Sequence, residues 1–109
     1  MYVFPNQGTL SGLKEENAMA EIDHMILRVS DTAQSIQFYE EVLGFRHEGR
    51  AGPFEVVRVS EGFTLDLLAQ PPDMHLHLAF RVDQSHFERV MVQLRERRIP
   101  FGGSHMDRS

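Results

Sequence analysis

Between Asp23 and Val29 the chain alternates, with His24, Ile26 and Arg28 falling on one face of a strand and Met25, Leu27 and Val29 on the other. The second face is uniformly apolar and suited to packing on a helix. The first sets a histidine and an arginine around one aliphatic residue, a pattern better suited to the wall of a site than to a core. Asp31 can cap a helix running to about Leu43, with Ile36, Tyr39 and Leu43 as its apolar stripe and Phe38 and Val42 alongside. Gly44 can take the left-handed turn after the helix. Phe45 to Gly49, Phe54 to Ser60 and Phe63 to Ala69 then read as strands, joined by turns at Ala51-Gly52-Pro53 and Glu61-Gly62. The order is βαβββ.

Gln70-Pro71-Pro72-Asp73 reads as a linker, because its prolines end the preceding strand. Beyond it the pattern begins again. His75 to Asp83 is expected to be a strand, and His77 and Arg81 repeat the spacing of His24 and Arg28. Ser85-His86-Phe87-Glu88 has the form of a capping box, opening a helix with Phe87, Val90, Met91 and Leu94 inward. Arg95 to Arg98 place positive charge where the helix dipole favours it. Ile99-Pro100-Phe101 would begin another strand, and two further strands are missing from this second module. Residues 1 to 20 show no sustained period and read as a flexible extension. Met19-Ala20-Glu21 would make a natural start.

These patterns divide the chain into an extension over 1–20, a first module over 21–70 and a partial second module over 71–109 of the same domain. The fold class is α+β. At 109 residues, 41% hydrophobic and 25% charged, the chain has the composition of one ordinary globular domain. A net charge of −5 argues against a nucleic-acid binder. No apolar run approaches the length of a membrane span. Without cysteine, disulfides, thiolate catalysis and thiolate ligands are excluded, and a cytoplasmic location is expected.

The run His24-x-x-x-Arg28-Val29-x-Asp31, followed by Ser35-Ile36-x-Phe38-Tyr39-x-x-Val42-Leu43-Gly44-Phe45, resembles the first module of the vicinal oxygen chelate superfamily. That group includes glyoxalase I, ring-cleaving dioxygenases, fosfomycin-resistance enzymes and bleomycin-binding proteins, and glyoxalase I is the nearest match in the first module. His77-Leu78-Ala79-Phe80-Arg81-Val82 resembles the opening of the second module, and the likeness spans about residues 22 to 103. It implies a divalent metal held by His24, His77 and Asp66, with Asp66 standing where glyoxalase I has a longer glutamate. Histidine and carboxylate donors suit Mn, Fe, Ni, Co or Zn. The remaining acidic ligand of the superfamily belongs to a final strand that the second module lacks. Tyr2-Val3-Phe4-Pro5-Asn6 offers a weaker reading, as an imitation of that last strand in permuted order.

Each candidate also has a plainer account. His24 and His77 could be hydrogen-bonded structural histidines, and Asp66 could sit on an exposed strand face. Arg28 matches the position where glyoxalase I binds a substrate carboxylate, and a salt bridge to a nearby acid would explain it equally well. The leading expectation is a metal-dependent enzyme acting on a small oxygen-rich substrate, with glyoxalase-like isomerase or lyase chemistry favoured. The alternatives are a dioxygenase, a fosfomycin-type transferase, or a metal-free binding protein of the bleomycin-resistance type. An unpaired strand edge in the short second module, and the pairing of modules between subunits common in the superfamily, imply a homodimer.

Overall fold

The computed structural model describes residues 2–5 and 20–101. Its elements in chain order are β1 (Tyr2–Pro5), β2 (His24–Val29), α1 (Thr32–Gln37), a π-helical turn (Phe38–Val42), β3 (Arg46–Ala51), β4 (Phe54–Ser60), β5 (Phe63–Ala69), β6 (Ala79–Val82) and α2 (Gln84–Glu96). They fall into two compact units, Thr9–His75, and Met1–Gly8 with Leu76–Ser109. No helix among the described residues is long and apolar enough to cross a membrane.

In the unit Thr9–His75 the strands are ordered β2-β5-β4-β3, with β2 and β5 parallel and the other two pairs antiparallel. This is the βαβββ arrangement expected from the alternation. Leu27, Val57, Leu65 and Leu67, on one face of the sheet, are at most 8% exposed. Tyr39, Val42, Leu43 and Phe45, from the helical segment and its end, are buried as well. Asp31 caps α1, its carboxylate accepting from the Gln34 N–H at 3.0 Å.

The helix then widens. The Leu43 N–H donates to Phe38 O and the Phe45 N–H to Tyr39 O, while Gly44 turns the chain at φ 77°. The π turn lets the adjacent Val42 and Leu43 both lie inward, and together with Phe45 they complete the core. β3 runs two residues beyond its expected end, because its register slips between His47 and Gly49 and the ladder continues to Ala51.

The other unit contains β1, β6 and α2. The helix turns Val90 and Leu94 inward, with Phe87 and Met91 half-buried, as its pattern implies. Three expectations are corrected here. The cap of α2 is Asp83, whose carboxylate accepts from the His86 N–H at 2.8 Å. The Ser85 hydroxyl instead receives a bond from Arg89 at 2.9 Å, one turn along the helix. Ile99 to Phe101 form no strand. The expected strand over His75 to Asp83 shrinks to Ala79–Val82, because its partner begins at Tyr2, opposite Ala79. Residues 75–78 are neither helix nor strand.

That partner is the largest departure from the sequence reading. Tyr2–Pro5 is a strand rather than part of a flexible extension, and it pairs parallel with β6. The pairing repeats that of β5 on β2. Ile26 stands opposite Asp66, and the corresponding residue Ala79 stands opposite Tyr2. The weaker, permuted reading of these residues therefore describes β1 best. Residues 6–19 of the expected extension lie outside the described residues, as do 102–109.

Candidate functional site

Register partners in a sheet point to the same side. His24, Ile26 and Arg28 of β2 lie opposite Thr64, Asp66 and Leu68 of β5, which lie in turn opposite Arg58, Val56 and Phe54 of β4. This is the face away from the buried leucines. Ile26 is 48% exposed on it, against 8% for its neighbour Leu27 on the other side. One open face thus carries a histidine, a carboxylate and two guanidinium groups over an apolar floor.

His24 is held by the residue before it. Its Nδ1–H donates to Asp23 Oδ2 at 2.9 Å, which raises its pKa above the ordinary imidazole value, with a smaller upward push from the charge of Asp66. A carboxylate can only accept, so the neutral ring presents Nε2 as its free electron pair. Metal-binding histidines are oriented in the same way by an outer carboxylate. One row in and one strand across, Asp66 accepts from the Thr64 hydroxyl through Oδ1 at 2.9 Å. The donor chemistry of His24 and Asp66 therefore fits a divalent metal: one imidazole nitrogen and one carboxylate on neighbouring strands.

The other expected donor, His77, is exposed, precedes β6, and belongs to the unit that begins at Leu76. Among the described residues no three His, Asp or Glu side chains gather as a group that could hold an ion. His75 is exposed as well. His47 is half-buried and bonds Glu55 at 2.8 Å through Nε2.

Arg28 is paired with Asp73, its Nη1 donating to Oδ2 at 2.6 Å. The salt bridge that the sequence left open is therefore present. Arg58 is gripped by Glu48 through two parallel bonds of 3.0 and 3.1 Å and also donates to the Ser60 and Glu61 carbonyls. Its pairing with Glu48 raises the Arg58 pKa, and Arg58 with Arg46 holds the Glu48 carboxyl below its usual range. The charges of Asp23 and Asp66 add to the rise at Arg58. Asp23, Thr64, Glu48 and Arg58 went unnamed as site residues in the sequence. Only Asp23, an acid directly before a candidate histidine, gave a local signal there.

Comparison with known proteins bears on the chain as a whole. The sequence model of the Glyoxalase/Bleomycin resistance protein/Dioxygenase superfamily matches residues 21–105. A solved structure titled Oxidase ChaP-H2 is 25% identical with a TM-score of 0.75, covering 84% of this chain and 72% of its own. Oxidase ChaP-H1 is 30% identical with a TM-score of 0.74, covering 82% and 73%. An integron cassette protein from the mobile metagenome of V. cholerae is 20% identical over 70% of this chain and 69% of its own, with a TM-score of 0.53, and shares the fold alone. No curated protein matches the chain.

Proposed function

Because the chain belongs to the Glyoxalase/Bleomycin resistance protein/Dioxygenase superfamily, we propose that it is a metal-dependent enzyme acting on a small oxygen-rich molecule. The observation that carries this reading is the placement of an Asp23-oriented His24 and of Asp66 on one open sheet face. His24 and Asp66 would hold the ion. A divalent metal there would accept two neighbouring substrate oxygens in its open positions and stabilise negative charge on them.

The protein's own groups have separate tasks. Asp23 fixes which nitrogen of His24 is free. Thr64 donates to one oxygen of Asp66 and thereby orients the carboxylate. Arg58, locked by Glu48, keeps a fixed position near both acids. Val56 and Phe54 give the face an apolar floor that limits water.

For the reaction itself, the two neighbours titled oxidases favour oxidation of the substrate, with a redox-active ion such as Fe or Mn and dioxygen as the oxidant. Arg28 and Asp66 support glyoxalase-like isomerase or lyase chemistry as the second reading. We further propose that the protein works in the cytoplasm as a homodimer, which light scattering at micromolar concentration would test.

Anaerobic titration with Fe(II), Mn(II), Co(II) and Zn(II) tests the metal. The reading expects one ion per chain, lost in His24→Ala and weakened in Asp66→Asn with the fold intact. A protein that binds no ion, or that keeps full affinity in His24→Ala, refutes it and favours a metal-free binding protein. Oxygen uptake by the Fe-loaded protein with a catechol-type substrate then separates oxidation from isomerisation.

A further inference from the structure

Glu48 is the extra residue of a bulge in β3. His47 stands opposite Val57 and Gly49 opposite Val56, so Glu48 has no register partner of its own on β4. Gly49 sits at φ 111°, a backbone conformation that costs glycine little and lets the strand bulge there. The Glu48 side chain lies between Arg46 and Arg58, which face each other across the two strands. Its Oε2 accepts from Arg46 Nη2 and Arg58 Nε, both at 3.0 Å, and its Oε1 from Arg58 Nη2 at 3.1 Å. Like charges directly opposite each other repel, and this one carboxylate answers both.

Arg58 has other acids within reach. It stands opposite Thr64, so Asp66, two residues along the same face of β5, is its diagonal neighbour. Such a diagonal spans about 7–8 Å, a distance that a long side chain can bridge. The charge of Asp23, which orients His24, also acts on Arg58. The other bonds of Arg58 run to the Ser60 and Glu61 carbonyls at 3.4 and 3.2 Å. Those neutral acceptors hold a guanidinium less tightly than a carboxylate fork does. With 31% of its side chain exposed, Arg58 is sheltered enough that an emptied Nε and Nη2 would seek a new acceptor. We propose that Glu48 is a positioning residue that holds Arg58 off the carboxylates of Asp66 and Asp23. When Glu48 is lost, the guanidinium turns and captures one of them. On Asp66 it occupies an oxygen that the ion needs, and on Asp23 it competes with the His24 ring. The consequence for the ion rests on the function proposed above; the capture itself does not.

Two measurements test it. A crystal structure of the metal-free Glu48→Gln protein should place an Arg58 nitrogen within about 3.2 Å of a carboxylate oxygen of Asp66 or Asp23. An Arg58 that stays clear of both overturns the proposal, whether or not the protein binds metal. Titration with Co(II) should then give Glu48→Gln a Kd about ten- to a hundredfold above that of wild type, the scale for groups that orient metal ligands. Adding Arg58→Met removes the competitor and should return the Kd to within about threefold of wild type. A Glu48 that merely supports the sheet gives no such rescue. Equal Kd in wild type and Glu48→Gln, or a double variant as weak as Glu48→Gln, overturns the proposal. So does an Arg58→Met protein that binds about tenfold more weakly than wild type, because the arginine itself would then be needed. A wild type that binds no Co(II) removes the function proposed above and leaves the crystal structure to decide the capture. Amide spectra of β3 and β4 report whether each variant keeps its fold. Should Glu48→Gln disturb them, Arg46→Gln is added to relieve the facing charge, with the same expectations.

Discussion

The two units begin with the same kind of strand and follow it with a capped helix, yet they rest on sheets of different width. In one, β2 and its helix lie on four strands, and Val57, Leu65 and Leu67 in the central pair are fully buried. In the other, β6 and α2 have a two-stranded sheet among the described residues, and Val90 and Leu94 are their buried residues. A strand with neighbours on both sides has both rows of backbone groups paired and both faces sheltered. Two strands alone are marginal without a helix to cover them. The repeat in the sequence therefore encodes two similar local structures with unequal support.

That inequality is broken most severely at Leu65. Leu65→Ala should cost about 2–5 kcal/mol, since the side chain is wholly buried in the central pair and its loss leaves a cavity. Chemical denaturation measures the loss. Hydrogen exchange locates it, and amides of β4 and β5 should become the fastest gainers. A loss below about 1 kcal/mol would mean that the core relaxes around the gap and that the wide sheet is not what stabilises this unit.

The narrow sheet is tested by removing residues 1–5. Amides of Ala79–Val82 should then exchange roughly tenfold faster or more, equivalent to about 1.4 kcal/mol of local opening. Amides of β2, β4 and β5 should keep their rates. Unchanged exchange in Ala79–Val82 would show that β1 gives β6 no support.

This pairing also marks where the sequence stops being informative. The first module was legible because each of its signals is local. Alternation fixed Phe54–Ser60 and Phe63–Ala69, and Asp31 and Gly44 bounded the helical segment. β1 is four residues long, shows no period of its own, and finds its partner more than seventy residues away. Only the parallel pairing on β6, matched in kind to β5 on β2, gives it meaning. In the site, His24, Arg28 and Asp66 were legible from strand parity. The Glu48–Arg58 fork was not, because the register slip between His47 and Gly49 decides what faces Arg58. Nor was the Arg28–Asp73 pair, which joins a strand to a stretch without periodic structure.

The helix caps give a smaller contrast. Asp31→Ala and Asp83→Ala should each cost about 1 kcal/mol, as both carboxylates accept from the third residue on. Ser85→Ala should stay within about 0.5 kcal/mol, the range of a surface change. Denaturation midpoints check all three. A Ser85→Ala loss equal to that of Asp83→Ala would return the cap to Ser85.

The finest contrast lies in the residue before each histidine of the repeat. Asp23 precedes His24, whereas Leu76 precedes His77, so the hold on Nδ1 from the preceding side chain belongs to the first module alone. The Asp23 bond raises the His24 pKa in the folded protein. By linkage, a raised folded value adds stability that is fully present below the unfolded imidazole pKa. That stability fades as pH rises through the folded one. Both groups are solvent-exposed, so the change in stability is small and the direct measurement is the titration itself. The His24 Cε1–H signal followed from pH 5 to 9 should turn over above the ordinary imidazole range. Asp23→Asn should bring the midpoint down toward that range, because the amide can still accept a hydrogen bond but carries no charge. If the midpoint does not move, Asp23 is not what holds the ring, and its part in presenting Nε2 to a metal falls with it.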